Sequence, residues 1–328
     1  MPSLRIVFMG TPEFAVSSLQ HLVENGCNVV AVITAPDKPS GRGLTLVPSP
    51  VKQYALTQHI PVLQPEKLKN PDFLVELRSY EADLQVVVAF RMLPEVVWNM
   101  PPKGTFNLHA SLLPHYRGAA PINWVIINGE TETGVTTFFL EHEIDTGNII
   151  FQEKEPIAPN DTVGTLYERL MQKGAALVLK TVRAVGEGSY PQIPQVMVEA
   201  PKLAPKIFKE TGEINWNQPA EAVRNFVRGL SPYPAAWTML NGKVLKIYEV
   251  KVLDRYASAV GRWTLDVGQN TDDDPAQPQI TNLKPQIKTD HKKYLHFQTA
   301  DGWVAVEDLQ MEGKKRLKIE EFLRGARF

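Results

Sequence analysis

The sequence predicts an α/β fold with a doubly wound, mostly parallel sheet, followed by a small β-barrel domain. The first half alternates strand-like and helix-like segments, which is typical of a parallel sheet. The last third contains short strand-like runs separated by Asn-Gly or Asp-Gly turns. At 328 residues the chain is also about twice as long as a typical domain, so we expect two domains.

The chain begins with a predicted strand–helix–strand unit. Residues 4–9 form a continuous apolar run, as in a buried strand, and Gly10-Thr11-Pro12 predicts a tight turn. Apolar residues at helical spacing then predict a helix that ends at Gly26, followed by a strand at 29–34. Later strands are predicted at 85–90, 104–109, 135–140 and 149–153.

A long helix is predicted to follow these strands. It begins after Asn160-Asp161, which can cap it, and runs towards Gly186. The next stretch is rich in proline and has no helical or strand period, so 190–208 is predicted to be a linker. The first domain is therefore expected to span residues 1–189 and the second residues 209–328.

The second domain is predicted to combine one helix with a small β-barrel. The helix covers 219–230, and the strand-like runs lie at 236–240, 244–250, 294–298 and 303–309. Residues 269–285 contain Asp272-Asp273-Asp274 and three prolines. That composition is typical of a mobile surface loop and not of an active site.

Composition places the chain among globular proteins. Hydrophobic residues make up 43% and charged residues 22% of the sequence. No apolar run approaches the roughly 18 residues that span a bilayer, so we expect no membrane association. The single cysteine, Cys27, excludes an internal disulfide and suits a reducing compartment, so we expect the protein to be cytoplasmic.

Charge is divided unevenly along the chain. The formal net charge is −1, but residues 1–200 carry −5 and residues 201–328 carry +4. Local fields steer ligands more than net charge does. A polyanion such as a nucleic acid could therefore lie against the C-terminal part.

Two common kinds of site are disfavoured. The turn that begins at Gly10 occupies the place of a dinucleotide-binding fingerprint but lacks its second and third glycines, which argues against a nicotinamide-dependent dehydrogenase. The sequence also has no His-x-x-x-His pair and no cysteine cluster, so we expect no metal site.

The densest cluster of polar residues lies between Thr105 and Pro121. Asn107 and His109 are two apart on a predicted strand, so their side chains share one face at its carboxyl end, where open α/β sheets bind ligands. Asp145 lies in a predicted turn, from which its carboxylate could fix the tautomer of His109 and favour its protonated form. A structural role for His109 remains the alternative at this point.

A long connection follows the second strand. Residues 35–50 are predicted to form a loop at the carboxyl edge of the sheet, and such loops are often functional. Lys38, Arg42 and Lys52 could contact phosphates or the end of an RNA strand there. A solvated loop with incidental charges is the alternative.

Short motifs are spread along almost the whole chain. They include Gly10-Thr11-Pro12-Glu13-Phe14, Gly41-Arg42-Gly43, Asn107-Leu108-His109, Ser111-Leu112-Leu113-Pro114, Asp145-Thr146-Gly147 and Ser231-Pro232-Tyr233-Pro234. Together these motifs resemble those of the methionyl-tRNA formyltransferase family. The Asn-x-His, Ser-Leu-Leu-Pro and Asp-Thr-Gly elements are shared by folate-dependent formyltransferases in general.

This resemblance implies an activity and a set of site residues. The fold implied is a Rossmann-like formyltransferase domain followed by an OB-like domain that helps hold tRNA. The implied formyl donor is 10-formyltetrahydrofolate, the implied acceptor is the α-amine of initiator methionyl-tRNA, and the implied catalytic residues are Asn107, His109 and Asp145. Folate contacts are expected from Phe90, Arg91, Leu93, Ser111, Leu112, Leu113 and Pro114. Contacts to tRNA are expected from Lys38, Arg42, Lys206, Lys209, Lys314 and Lys315.

The sequence departs from the family pattern at two places. Ala89-Phe90-Arg91 stands where relatives usually have Ala-Tyr-Gly, and Glu141-His142-Glu143-Ile144 replaces smaller or apolar residues before Asp145. Both segments are expected to border the donor pocket.

The implied chemistry explains the residue types. Attack of an amine on a formyl carbon creates a tetrahedral intermediate with a negative oxygen, to which Asn107 and His109 could donate. Asp145 would help route the proton from the amine to N10 of the folate. Two alternatives stay open: a formyltransferase for another amine, such as a sugar amine or glycinamide ribonucleotide, and a non-catalytic RNA-binding protein. Nothing in the sequence suggests an obligate dimer, so a monomer is expected.

Overall fold

The protein forms two compact units. The structure is a computed structural model that describes residues 4–40, 45–143, 145–196, 199–253 and 285–325. One unit contains the described residues up to Val125 together with Glu130–Lys206, and the other contains Ile126–Gly129 and the described residues from Ile207 onward. Within the described ranges, no helix has the length and apolar character that crossing a bilayer requires.

The first unit is built on a seven-stranded sheet. The described strands of this unit, in chain order, are β1 (Arg5–Gly10), β2 (Asn28–Ile33), β3 (Lys38–Ser40), β4 (Thr45–Val47), β5 (Val62–Leu63), β6 (Leu84–Val88), β7 (Thr105–His109), β8 (Arg117–Gly118), β9 (Glu132–Phe139), β10 (Ile149–Pro156) and β11 (Leu203–Ala204). Strands β3 and β4 form one separate pair, and β8 and β11 form another. The sheet has the order β10-β9-β7-β6-β1-β2-β5. Neighbouring strands from β7 to β5 pair in parallel, whereas β9 pairs antiparallel with both β7 and β10. This confirms the predicted mostly parallel sheet.

Helices cover this sheet and bury its apolar side chains. They are α1 (Glu13–Glu24), α2 (Pro50–Thr57), α3 (Pro71–Ser79), α4 (Glu95–Trp98), α5 (Pro121–Ile127) and α6 (Val163–Glu187). Val7 and Met9 of β1 pack in one cluster with Phe73 and Leu77 of α3. Helices α1 and α6 pack against each other and contact β1 and β9. The alternation of side chains along the buried strands therefore supplies the doubly wound core.

The long helix begins after Asn160-Asp161, as the sequence predicts, but the residue that caps it is Thr162. Thr162 is the N-cap of α6, and its side chain and that of Thr165 form a reciprocal capping box. The helix ends one residue beyond the predicted Gly186, because Gly188 adopts the left-handed conformation (φ 72°) that closes helices.

The connection predicted as a loop at 35–50 contains regular structure. Strands β3 and β4 pair as a short antiparallel hairpin, and α2 begins at Pro50. The difference arises because strands of three residues are too short to show a period in the sequence. The tip of the hairpin, which holds Arg42, lies outside the described residues.

The segment predicted as a linker is attached to the first unit. Ile193 forms an antiparallel bridge with Ile149, and β11 pairs in parallel with β8. Each pairing involves only one or two residues of the segment. Such short pairings give no strand period in the sequence, so they could not be predicted from it. The predicted bounds 1–189, 190–208 and 209–328 stay predictions.

The second unit is an antiparallel half-barrel with helices against it. It contains a 3₁₀ turn (Glu210–Gly212), α7 (Ala220–Leu230), α8 (Ile319–Gly325), β12 (Ala236–Leu240), β13 (Lys243–Leu253), β14 (Ile287–Thr289), β15 (Leu295–Gln298), β16 (Trp303–Met311) and β17 (Leu317–Lys318). The strand order is β12-β13-β16-β15-β14, with β17 paired to β16. Its core includes Trp216 stacked on Phe297, with ring centroids 4.4 Å apart. The predicted surface loop at 269–285 lies outside the described residues except for Pro285.

Arg169 of α6 ties the start of that helix to the end of β10. Its guanidinium bonds both oxygens of Asp161, at 2.6 and 2.8 Å, and Glu155 at 2.7 Å. The hydrogen bonds from Arg169, together with those from the Ala158 N–H and the Thr165 hydroxyl, outweigh burial and lower the pKa of the Asp161 carboxyl from 3.8 to about 2. Because the folded-state pKa is depressed, this stabilisation is present above about pH 4 and is lost as the pH falls towards 2.

We predict that Arg169→Gln destabilises the first unit in a pH-dependent way. A pKa lowered to about 2 corresponds to at most about 2.4 kcal/mol, and since Arg169 is 39% exposed we expect about 1–2 kcal/mol at pH 7. Urea unfolding of both proteins should show the difference narrowing at pH 3. Lys154→Gln, which removes an ion pair between side chains that are 71% and 49% exposed, is the control and should cost under about 1 kcal/mol. An equal loss for Arg169→Gln at both pH values would contradict the prediction.

Candidate active site

A cavity of about 740 Å³ lies at the carboxyl ends of β6 and β7. This volume is in the range of small-molecule sites, and the position is where open α/β sheets bind ligands. Its walls come from the segments after β1, β6 and β7, the start of α5, the turn before β10, and Tyr167 of α6. All of these segments belong to the first unit.

The structure brings the three predicted catalytic residues to this cavity. Asn107 and His109 both line it, as their spacing on β7 predicts, and Asp145 reaches it from the turn before β10. His109 Nδ1 lies 3.9 Å from Asp145 Oδ2, and the two side chains are only 7% and 12% exposed. This separation permits an ion pair but is too long for a direct hydrogen bond.

The ring of His109 is oriented by a main-chain group. Its Nε2 lies 2.8 Å from the carbonyl oxygen of Tyr116. A carbonyl only accepts, so Nε2 carries a proton, and in the neutral ring Nδ1 is left as the acceptor that faces Asp145. The sequence predicts that Asp145 fixes this tautomer, but the structure assigns that role to Tyr116, because the carboxylate lies too far away.

Tyr116 is itself held in an uncommon conformation. Its φ is 61°, in the left-handed region that residues other than glycine seldom adopt. The Tyr116 hydroxyl donates to Glu130, which also accepts from Lys202. Burial raises the pKa of Glu130, but the hydrogen bonds from Lys202 and Tyr116 outweigh it and hold that pKa below its ordinary value. Glu130 therefore stays ionised at neutral pH and anchors Tyr116.

Asp145 lies in an equally constrained turn. Its φ is 57°, and its Oδ2 accepts a hydrogen bond from the main-chain N–H of Gly118 at 3.1 Å. Gly147 is required nearby, because a Cβ at that position would lie 1.8 Å from the carbonyl oxygen of Phe139. Strained main chain of this kind is often found where a side chain must be aimed for function.

The residues expected to contact folate divide into two groups. Phe90, Arg91 and Leu93 line the cavity. The segment from Ser111 to Pro114 does not contribute to the described lining: Ser111 Oγ donates to the carbonyl of His115, and Leu113 packs against Phe138 and Ile149. The predicted folate contacts of Ser111, Leu112, Leu113 and Pro114 stay predictions.

Arg91 has a clear structural partner. Its guanidinium donates to the carbonyl oxygens of Pro65 and Glu66, the latter at 2.8 Å. It thus ties the segment after β6 to the segment after β5. The preceding Ala89 has φ 47°, so this wall of the cavity is bent sharply and fastened by Arg91.

Five of the six residues expected to contact tRNA are described, and these five are exposed and lie in both units. Lys38 and Lys206 belong to the first unit, and Lys209, Lys314 and Lys315 belong to the second. Arg42 lies outside the described residues. Lys52, also considered for phosphate contact, is instead engaged internally: its Nζ lies 2.6 Å from Asp37 and 2.7 Å from Gln64.

The part of the chain that the structure describes holds no group of three or more His, Cys, Asp or Glu side chains suited to a metal ion.

Sequence comparison identifies the family. The family described as "Formyl transferase" matches residues 4–182, and "Formyl transferase, C-terminal domain" matches residues 206–327. The methionyl-tRNA formyltransferase of Bacteroides fragilis is 56% identical, over 98% of this chain and 95% of its own. The chain belongs to the methionyl-tRNA formyltransferase family. The corresponding protein of Parabacteroides distasonis is also 56% identical, over 98% of this chain and 95% of its own.

Structural comparison supports the fold of this formyltransferase. The crystal structure of WlaRD, a sugar 3N-formyltransferase determined in the presence of dTDP and 5-N-formyl-THF, is 20% identical in sequence. It covers 96% of this chain and 100% of its own, with a TM-score of 0.63. At this identity the likeness shows the fold alone.

We predict that Gly147→Ala disrupts the turn that carries Asp145. The added Cβ overlaps the carbonyl oxygen of Phe139, so the main chain must move, and we expect a loss of about 1–3 kcal/mol in unfolding free energy. Formyl transfer should fall as well. Gly186→Ala is the matched control: its Cβ meets only Leu4 Cδ2, at 3.8 Å, so the variant should be at least as stable as the parent in thermal unfolding. Unchanged stability and activity of Gly147→Ala would contradict the prediction.

Proposed function

We propose that this protein transfers the formyl group of 10-formyltetrahydrofolate to the α-amino group of initiator methionyl-tRNA, with Asn107, His109 and Asp145 as its catalytic residues. The observation that supports these roles is the meeting of the three side chains at one cavity of suitable size. Membership of the family supports the reaction itself.

The cavity suits a flat heterocyclic donor. Its lining includes the apolar side chains of Val87, Phe90, Leu93 and Trp98, which we call its apolar side, together with the polar trio. Apolar walls with a few convergent polar groups are the usual composition of small-molecule sites. The folate is a co-substrate in this reaction, and its pterin ring would lie against the apolar side.

His109 is arranged to take the proton of the attacking amine. Nε2–H is committed to the Tyr116 carbonyl, so Nδ1 is the ring nitrogen that accepts. The Asp145 carboxylate, 3.9 Å from Nδ1, stabilises the positive charge that the ring then carries. The protonated Nδ1 can donate to the negative oxygen of the tetrahedral intermediate or pass its proton to N10, which leaves.

Asn107 supplies a second donor to the same oxygen. Its carboxamide is half-buried on the wall beside His109, where a hydrogen bond is stronger than in water. Holding amine, formyl carbon and donors together lowers the barrier further. We propose that the protein acts as a monomer in the cytoplasm, where initiator methionyl-tRNA is used.

Binding of tRNA is proposed to rest on phosphate contacts. The excess of positive charge after residue 200 and the exposed lysines Lys209, Lys314 and Lys315 favour a polyanion there. Lys38 and Lys206 would contribute from the first unit. Arg316 is not counted with them, because its guanidinium bonds Asp308 at 2.8 and 3.0 Å.

We predict that Asn107→Ala lowers kcat by about 10²–10³, because one donor to the oxyanion is lost. The KM for each substrate should change little, and thermal unfolding should confirm that the variant folds. Asn25→Ala, which removes an exposed asparagine that bonds the carbonyl of His21 outside the cavity, is the control and should keep the parental kcat. A parental kcat for Asn107→Ala would rule out its proposed role.

We predict that an acceptor panel singles out methionyl-tRNA. Purified protein is incubated with 10-formyltetrahydrofolate and, in separate reactions, with initiator methionyl-tRNA, a nucleotide-linked amino sugar and glycinamide ribonucleotide. Formylated methionyl-tRNA is expected, with no turnover of the other amines. If only another amine is formylated, the protein is a formyltransferase for that amine and not for methionyl-tRNA. RNA binding without any turnover of folate would favour a non-catalytic protein.

A further inference from the structure

A segment after α6 connects the two turns that shape the candidate active site. We call the described residues 193–196 and 199–205 the strap. Its strand β11 pairs with Arg117 and Gly118, directly after Tyr116. Its other end bridges Ile149 and reaches the turn of Asp145 through Gln195. The strap therefore contacts both the partner of His109 and the turn of the carboxylate.

Gln195 makes three hydrogen bonds across this junction. Its Nε2 donates to the carbonyl oxygens of Asp145, at 2.8 Å, and of Gly147, at 2.9 Å. Its Oε1 accepts from Nη2 of Arg117 at 2.6 Å. An arginine can only donate and a carbonyl can only accept, so these partners allow one orientation of the amide group.

These bonds act on the part of the chain that needs support. Asp145 has a left-handed φ of 57°, an uncommon conformation for a residue with a side chain, although aspartate adopts it more readily than most. Among the described residues, the Asp145 carboxylate accepts one hydrogen bond, from the main-chain N–H of Gly118 at 3.1 Å, and the neighbouring Arg117 orients Gln195. Gln195 fixes the main chain on both sides of Thr146, so it limits how the Asp145 carboxylate can move relative to His109.

We propose that Gln195 is a positioning residue for formyl transfer, which it serves by holding the turn of Asp145 so that the carboxylate faces His109 Nδ1. This inference rests on the proposed function. Gln195 is not among the residues that line the described cavity, so it is assigned no contact with either substrate. It acts through Asp145, and Arg117 supports it by orienting its amide.

The first experiment compares two substitutions with different chemistry. Gln195→Leu removes all three hydrogen bonds, whereas Gln195→Glu keeps an acceptor for Arg117 but replaces the donor with an oxygen that repels both carbonyls. Both variants should lose about tenfold to a hundredfold in kcat, because small displacements of a reacting group have effects of this size. The KM values for folate and methionyl-tRNA should stay within about twofold, since no contact with either is removed.

A matched control tests whether the loss of any hydrogen bond from a glutamine to a carbonyl lowers kcat. Gln53 of α2 also donates through Nε2 to a carbonyl, that of Pro48 at 3.0 Å, and α2 contributes nothing to the described lining of the cavity. Gln53→Leu should keep the parental kcat. Thermal unfolding of each variant measures the folded fraction, and if Gln195→Leu is unstable, Gln195→Glu, which keeps the size and the Arg117 partner, carries the test.

A double-mutant cycle with Asp145→Asn decides whether Gln195 acts through the carboxylate. In the Asp145→Asn background, Gln195→Leu should change the residual kcat by less than about twofold, because the group that it positions no longer carries charge. Independent losses that multiply would overturn the proposal, and so would a parental kcat for Gln195→Glu. If the parent does not formylate methionyl-tRNA, the proposed function itself fails. If the parent is active, Asp145→Asn is impaired and Gln195→Leu is not, only the role of Gln195 fails.

Discussion

The hydrogen bond between His109 Nε2 and the Tyr116 carbonyl is the contact on which the proposed chemistry depends. It commits one ring nitrogen and leaves the other to the cavity and to Asp145. Without it the imidazole could present either nitrogen, and the proton would have no defined path. The bond in turn requires the left-handed main chain at Tyr116, which the Glu130–Lys202 pair holds in place.

Asp145 differs from the other constrained carboxylates of the first unit. Asp161, Glu155 and Glu130 each bond an arginine or a lysine, which keeps their charge compensated. Within the described residues, the charged partner of Asp145 is His109 alone, and its remaining contact is a main-chain N–H. The negative charge of such a carboxylate can stabilise a protonated imidazole. A carboxylate already neutralised by an arginine would stabilise it less.

The sequence predicts the parts of this arrangement that follow from periodicity. The strand that carries Asn107 and His109, the mostly parallel sheet and the capped helix after Asp161 all have local signals, and the structure confirms these elements. Tyr116 is different, because it acts through a main-chain carbonyl and any residue has one. Arg91 and Gln195 likewise donate hydrogen bonds to carbonyl oxygens that are distant in sequence, so the residues next to them in the sequence do not predict these partners. Long-range main-chain contacts are thus what pattern analysis missed.

The pairing of β11 with β8 joins residues that are 86 positions apart, Leu203 with Arg117. All strands of the main sheet, and helices α1 to α6, come before Leu203 in the chain. The segment that pairs with Arg117, next to the main-chain partner of His109, and with Gly118, the main-chain partner of Asp145, comes after them. The strand that follows Tyr116 is therefore paired by residues that come after every strand and helix of the main sheet in the chain. A short segment far along the sequence thus closes the main chain beside the carbonyl that binds His109, so its position matters to a site to which it contributes no lining side chain.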